Sequence, residues 1–357
     1  MTQTALNSHV DLSARLKNAS QVLANRKIVS ARRVVKGLLF LILAMILSMV
    51  IVGGATRLTN SGLSITEWNP IMGTIPPIST GDWEVAFQKY QQSSQYRLQN
   101  LGMSLGEFQY IFWWEWAHRF LGRMIGLPFL VLLGLGLTGR MEWQTGTRII
   151  GLFVLLGLQG ALGWYMVASG LVNRLDVSQY RLAAHLTLAT IFFAATLWTV
   201  LAIDRRHVVP RNIHQWTSLA LVGLVFLQIA AGGLVAGLDA GQGYNTWPQM
   251  DGQFIPSGLY AMKPAWLNIF ENAMTVQFNH RALAYVVFAI AIWHALSTRA
   301  WSSTIVFMAV GLQATLGILT LLWHVPLTVA LVHQAGALAV LTAALWNLHR
   351  RTRYAIA

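Results

Sequence analysis

The chain has 357 residues, 55% of them hydrophobic and only 10% charged, with a formal net charge of +13, ten histidines and no cysteine. That balance excludes an ordinary soluble domain, and the missing thiols exclude disulfides, thiolate metal sites and iron–sulfur clusters. Apolar runs of about 20 residues, enough to cross a hydrocarbon core of ~30 Å, recur along the chain and predict an all-α polytopic membrane protein.

Residues 1–34 form a basic N-terminal segment with no run long enough for a signal-peptide core, so no signal peptide is expected. Leu12, Leu16, Ala19 and Leu23 fall near one helical face among Arg15, Lys17, Arg26 and Lys27. That pattern predicts a basic amphipathic helix on the inner leaflet, although a mitochondrial transit peptide would share the composition. Eight spans follow, near 35–54, 119–138, 149–169, 182–202, 216–237, 279–298, 302–323 and 326–346. With a cytoplasmic N-terminus, the inner segments hold 16 of the 25 Lys and Arg, opposed only by Asp11, Glu142 and Asp204. The net charge then lies wholly on the inner side, as the positive-inside rule expects, and the tail 350–357 is cytoplasmic too. The basic character reads as topology, with no nucleic-acid partner implied.

Spans one to four and five to eight read as two copies of one unit. Gly53-Gly54 recurs as Gly232-Gly233, and Leu158-Gln159-Gly160-Ala161-Leu162-Gly163 as Leu312-Gln313-Ala314-Thr315-Leu316-Gly317. His118-Arg119 recurs as His280-Arg281, and His185 as His333. Each unit has an even number of spans, so the copies share one orientation: two four-helix bundles, 35–206 and 207–349, related by a pseudo-two-fold along the membrane normal.

Each of the four matched histidines sits near the start of an even-numbered span, in the outer half of the bilayer. A buried imidazole is costly unless something binds it, and two facing helices can put one histidine on either side of a flat macrocycle, as bundles hold b-type haem. The alternative is a hydrogen-bonded helix contact. His9, His207, His214 and His349 fall in basic inner segments and are expected to be solvated. His294 lies 14 residues beyond His280, about 20 Å along a helix, and so serves another place; His324 falls in a short outer turn.

The copies differ one turn before the first histidine: Glu115 precedes His118, whereas Gln277 precedes His280. A carboxylate can act as general acid or base and an amide cannot, which assigns chemistry to the first copy and a permanent redox cofactor to the second. The other reading is an ordinary ion pair between Glu115 and Arg119. Arg119 and Arg281, with Arg57, Arg123 and Arg181 nearby, could pair with haem propionates or snorkel to headgroups. Two long outer loops, near 55–117 and 238–278, carry Trp68, Trp83, Trp113, Trp114, Trp116, Trp247 and Trp266. They are expected either to fold over the outer ends as lids or to supply an interfacial aromatic belt.

These residues together resemble the haem A synthase family. The likeness runs from about Gly53 to His333 and includes Gly-Gly-Ala-Thr-Arg-Leu-Thr from Gly53, Ser-Gly-Leu-Ser-Ile-Thr-Glu-Trp from Ser61 and Phe-Trp-Trp-Glu-Trp-Ala-His-Arg from Phe112. It continues through Tyr-Arg-Leu-Ala-Ala-His-Leu from Tyr180, Ala-Gly-Leu-Asp-Ala-Gly from Ala236, Asn-Thr-Trp-Pro from Asn245, Gln-Phe-Asn-His-Arg from Gln277 and Val-His-Gln from Val332. The resemblance implies oxidation of a ring methyl of haem O to a formyl, by successive hydroxylations, to give haem A for cytochrome oxidase. It implies a bis-histidine haem b on His280 and His333, substrate flanked by His118 and His185, and Glu115 as the family's acidic residue. It further implies a haem O synthase supplying substrate, an unidentified electron partner, homo-oligomerisation as an open matter, and a bacterial cytoplasmic membrane in preference to a mitochondrial one. Some relatives carry a cysteine pair in the first outer loop; this chain has none, so no thiol-linked step operates here. From other classes, a dihaem electron-transfer cytochrome and a haem transporter or chaperone remain as readings.

Overall fold

A computed structural model describes residues 3–69, 71–173, 175–203 and 213–351. The described residues contain eight helices long and apolar enough to span a membrane. They comprise α1 (Gln3–Leu58), a pair α4 (Leu105–Met124) and α5 (Gly126–Leu137), α6 (Trp143–Asn173), α7 (Gln179–Ala202), α8 (Ile213–Gly237), α10 (Ala273–Thr298), α11 (Trp301–Leu322) and α12 (Leu327–Arg351). Between them, in the long loops after α1 and α8, lie α2 (Thr80–Gln91), α3 (Ser94–Leu98) and α9 (Asn268–Glu271).

Two boundaries differ from expectation for identifiable reasons. The basic N-terminal segment continues into the first span as one helix, α1; the predicted amphipathic face lies outside the described side chains, as do His9 and His207. The second span starts at Leu105, well before His118, because Ser104 and Glu107 form a capping box: the Ser104 hydroxyl accepts from Glu107 N at 3.3 Å and Glu107 Oε2 accepts from Ser104 N at 2.8 Å. His118 therefore lies well inside its helix. The break at Ile125 precedes Pro128, whose missing N–H cannot serve the Met124 carbonyl. Likewise α10 starts at Ala273, with Asn272 Oδ1 accepting from Met274 N and Thr275 N.

Each half closes into a ring of four neighbours. In the first, α1 packs on α4 and α5, α5 on α6, α6 on α7, and α7 on α1; in the second, α8 packs on α10, α10 on α11, α11 on α12, and α12 on α8. The halves meet through α7 against α8 and α12, and α1 against α12. Close approach there uses glycine: a Cβ on Gly233 would stand 2.9 Å from Ala183 Cα, and one on Gly54 would collide with the Gln334 amide. One apolar cluster runs through all eight spans, from Val35 to Leu348. Exposed Leu158, Leu227, Met308 and Leu312 on the spanning helices suit contact with lipid.

The long loop after α1 folds back on α4. Trp83 and Tyr90 of α2 bury themselves against Phe108, Ile111 and Phe112 on the N-terminal extension of α4, with the Trp83 and Phe112 ring centres 4.9 Å apart. Trp83 is thus core of this loop, while Trp113 remains 43% exposed, as a belt residue would. Two further expectations need correction. His349 is buried, edge-on to Trp198 at 5.4 Å, because α12 continues to Arg351, beyond the predicted span, and keeps it in the bundle. His214 is half-buried at the start of α8.

Candidate functional site

All four matched histidines stand over glycines on the preceding span. A Cβ added to Gly53 would lie 3.0 Å from His118 Nε2; the corresponding approaches are 3.0 Å for Gly163 to His185, 3.2 Å for Gly232 to His280 and 2.8 Å for Gly317 to His333. A methyl group at any of these positions would press on the ring, so glycine sets where each imidazole can lie. All four histidines are part-buried.

The structure brings His118 and His185 together, with ring centres 6.5 Å apart and planes at 82°. A metal about 2 Å from one nitrogen of each ring would put the centres roughly 6 Å apart. His280 on α10 and His333 on α12 stand over Gly232 and Gly317 in the other half. Histidine pairs are a donor set suited to haem iron, and buried His185 Nδ1 has no partner, so these residues fit the group that the sequence implies. Among the described residues no cluster of three or more His, Asp or Glu forms an alternative metal site.

Glu115 is buried, and both of its oxygens are engaged. Oε1 accepts from Arg119 Nε and Nη2 at 3.0 and 2.6 Å; Oε2 accepts from Ser64 Oγ at 2.8 Å and Ile65 N at 2.7 Å. The expected Glu115–Arg119 ion pair therefore exists, and it also ties the long loop after α1 to α4. Gln277 does the same in the second half with opposite polarity. Its Nε2 donates to Ala240 O at 2.5 Å and Gly243 O at 2.8 Å, while Oε1 accepts from Arg281 Nη2 at 2.7 Å.

Arg119 spends further donors on Ile65 O and Glu67 O, and Arg281 on Tyr244 O and Thr246 O. Both guanidiniums thus serve mainly as loop clamps; Arg281 Nε is left buried without a partner. Arg57 pairs with Asp239 at 2.6 Å across the halves, Arg123 donates to Asn69 O, and Arg181 lies over the Tyr165 ring. His294 is apart from both pairs, fully buried in a polar cluster. Its Nδ1 stands 2.7 Å from Thr217 Oγ1, and its Nε2 3.0 and 3.1 Å from Asn347 Nδ2 and Ser303 Oγ.

The sequence pattern of a family described as cytochrome oxidase assembly protein matches residues 36–345. Among similar proteins is a haem A synthase of Azorhizobium caulinodans, 53% identical over 88% of this chain and 93% of its own. Others, from Mesorhizobium japonicum and Rhodopseudomonas palustris, are 51% and 52% identical over 88% and 87% of this chain and 90% and 87% of theirs. The chain belongs to the haem A synthase family.

In this haem A synthase family member, two kinds of residue at the site escaped a reading of the sequence, as did one buried cluster apart from it. Ser64 and Ile65, which hold Glu115, lie some 50 positions away in the motif that begins at Ser61, whose spacing does not tie them to Glu115. Gln159, Gln228 and Gln313 contact His185, His280 and His333; their signal was available, since each stands four residues before its glycine in the repeat. The buried polar set around His294 could have been sought from the hydroxyl and amide residues at the starts of α8 and α11 and the end of α12.

Proposed function

We propose that this chain is a membrane oxidoreductase that converts a ring methyl of haem O to a formyl, giving haem A for cytochrome oxidase, in a bacterial inner membrane with both termini cytoplasmic. The observation carrying this reading is the repeated glycine-seated histidine pair with an ionisable carboxylate beside only one copy. In this reading the halves are pseudo-two-fold copies, 35–206 for substrate and 207–349 for a resident b-type haem. His280 and His333 would hold that haem, which when bound supplies one-electron redox chemistry.

Substrate haem O would lie between His118 and His185, which orient its ring. Methyl-to-formyl oxidation removes electrons and protons from one carbon, so the reaction needs an electron partner outside this chain and a proton acceptor within it. Glu115 is the acceptor in this reading, at Oε1 or Oε2, with Arg119, Ser64 and the Ile65 N–H balancing its charge. Folded over α4, the first loop limits water at the outer end. The Arg281 Nε–H and the remaining Nη1–H of Arg119 are the donors left for propionates. A haem O synthase supplies substrate, and self-association of the chain belongs to the same reading without residues assigned to it.

Purifying the protein from cells that make haem O, extracting its haems and separating them tests the assignment. Haem O, a hydroxylated intermediate or haem A beside haem B is the expected result. Haem B alone, filling two equal sites, would instead identify an electron-transfer cytochrome.

A further inference from the structure

Three of the four histidines rest on a glutamine as well as a glycine. Gln159, Gln228 and Gln313 stand one helical turn before Gly163, Gly232 and Gly317. Their Nε2 groups donate to the backbone oxygens of His185, His280 and His333 at 3.1, 3.1 and 2.8 Å. The same nitrogens lie 3.2 Å from His185 Nε2, 3.2 Å from both His280 ring nitrogens and 3.1 Å from His333 Nδ1. At the fourth position, one turn before Gly53, stands Met49. Its methyl reaches within 3.6 Å of where a Gly122 Cβ would lie, beside His118 on α4. A thioether has no N–H and is a weak acceptor, and no hydrogen bond to the His118 ring occurs among the described residues.

We infer that Gln228 and Gln313 are positioning residues for both ligands of the resident haem, that Gln159 holds one histidine of the substrate site, and that Met49 makes His118 the releasing side of that site. The inference rests on the assignment of the two halves above. What the second ring nitrogen meets sets an imidazole's tautomer and rotation, and a glutamine amide can either donate to it or accept from it. The oxygens of Gln159, Gln228 and Gln313 are buried without partners, so each amide has acceptor capacity to spare for an imidazole N–H. Among the described residues His118 is held against Gly53 by contact, with no hydrogen bond to its ring for a turn to break. An enzyme must release its product every cycle and must retain its cofactor; one untethered histidine among four meets both demands.

The test uses the full chain in lipid nanodiscs, loaded with haem O. Two readouts are needed: the rate of haem O transfer to excess apomyoglobin, and the midpoint potential with the low-spin electron paramagnetic resonance spectrum of the resident haem. Met49→Gln is expected to slow haem O loss about fivefold, the effect of one net hydrogen bond, with the resident signal unchanged. Gln228→Met and Gln313→Met are expected to shift the resident potential and spectrum while haem O leaves at the wild-type rate. Gln159→Met, a second variant on the substrate side, should speed haem O loss and so decides the matter if Met49→Gln does not fold. Wild-type release from Met49→Gln and Gln159→Met, with wild-type resident signals from the other two, would overturn the inference. Retention of haem O by both His118→Ala and His185→Ala would instead remove the site assignment beneath it.

Discussion

At Gly317 an added methyl group would stand 2.8 Å from His333 Cε1, and at Gly232 the same addition would stand 3.2 Å from His280. Gly317→Ala should therefore displace its histidine more than Gly232→Ala, seen as a larger shift or loss of the low-spin haem absorbance; equal spectra from the two would count against the seating role. His280→Ala and His333→Ala should abolish that signal. Glu115→Gln is expected to stop haem A formation and leave the resident spectrum intact. The amide would also turn an N–H toward Ser64, Ile65 or Arg119, at a cost of about 1–3 kcal/mol. Ser64→Ala separates the two effects, because it loosens the loop tie and keeps the carboxylate; near-normal haem A yield from it, with none from Glu115→Gln, assigns the loss to the missing acid. The Glu115/Gln277 contrast was legible from the repeat, and Arg119 from its spacing. The polarity of the loop groups facing each side chain was not, since they come from distant parts of the chain.

Among the elements, the ends of the two halves remote from the four matched histidines carry a further difference. By the repeat, His294, Thr217, Ser218 and Ser303 correspond to Leu132, Leu38, Leu39 and Ile149. Leu132, Leu39 and Ile149 are all fully buried, so equivalent core positions are apolar in one bundle and hydrogen-bonded in the other. Asn347 binds the cluster: its Nδ2 donates to Ser218 Oγ at 3.1 Å, and its Oδ1 accepts from Ser302 Oγ at 2.9 Å. Replacing one member leaves the rest unsatisfied, so His294→Leu or Asn347→Leu should destabilise the second bundle by roughly 2–4 kcal/mol. The loss would appear as a lowered Tm in detergent; the resident haem spectrum should stay unchanged, since the cluster lies about 20 Å along α10 from His280. An unchanged Tm in both variants would show that the cluster contributes little. Hydropathy placed all eight spans, but it could not find the N-terminal extension of α4, which packs against loop aromatics and begins at a polar cap. It also could not place His349, whose burial depends on Trp198 from another helix.

In the whole molecule, the two rings of helices form one body through contacts that leave no space for side chains. A Cβ on Gly237 would meet Gln179 Cα at 2.5 Å, and one on Gly233 would meet Ala183 Cα at 2.9 Å. Backbone cannot yield as a flexible side chain can, so Gly233→Leu should part α7 from α8. Both haem signals and Tm are expected to change together in that variant; retention of either at its wild-type value would show that the halves are energetically separate. The Arg57–Asp239 pair also crosses the halves, but the Asp239 side chain is 45% exposed. Arg57→Ala should therefore cost no more than about 1 kcal/mol.

The spans, the internal repeat, the four histidines and the single unmatched carboxylate are all properties of the linear pattern, because hydropathy is local and a duplicated unit repeats its spacing. Packing between segments that the pattern does not relate settled the rest. It determined that each histidine lies over a glycine, that three also meet a glutamine amide, and that Glu115 and Gln277 each hold a long loop. Such contacts depend on how close two helices come and how they are rotated, which follows from the small residues at their interface rather than from either segment alone.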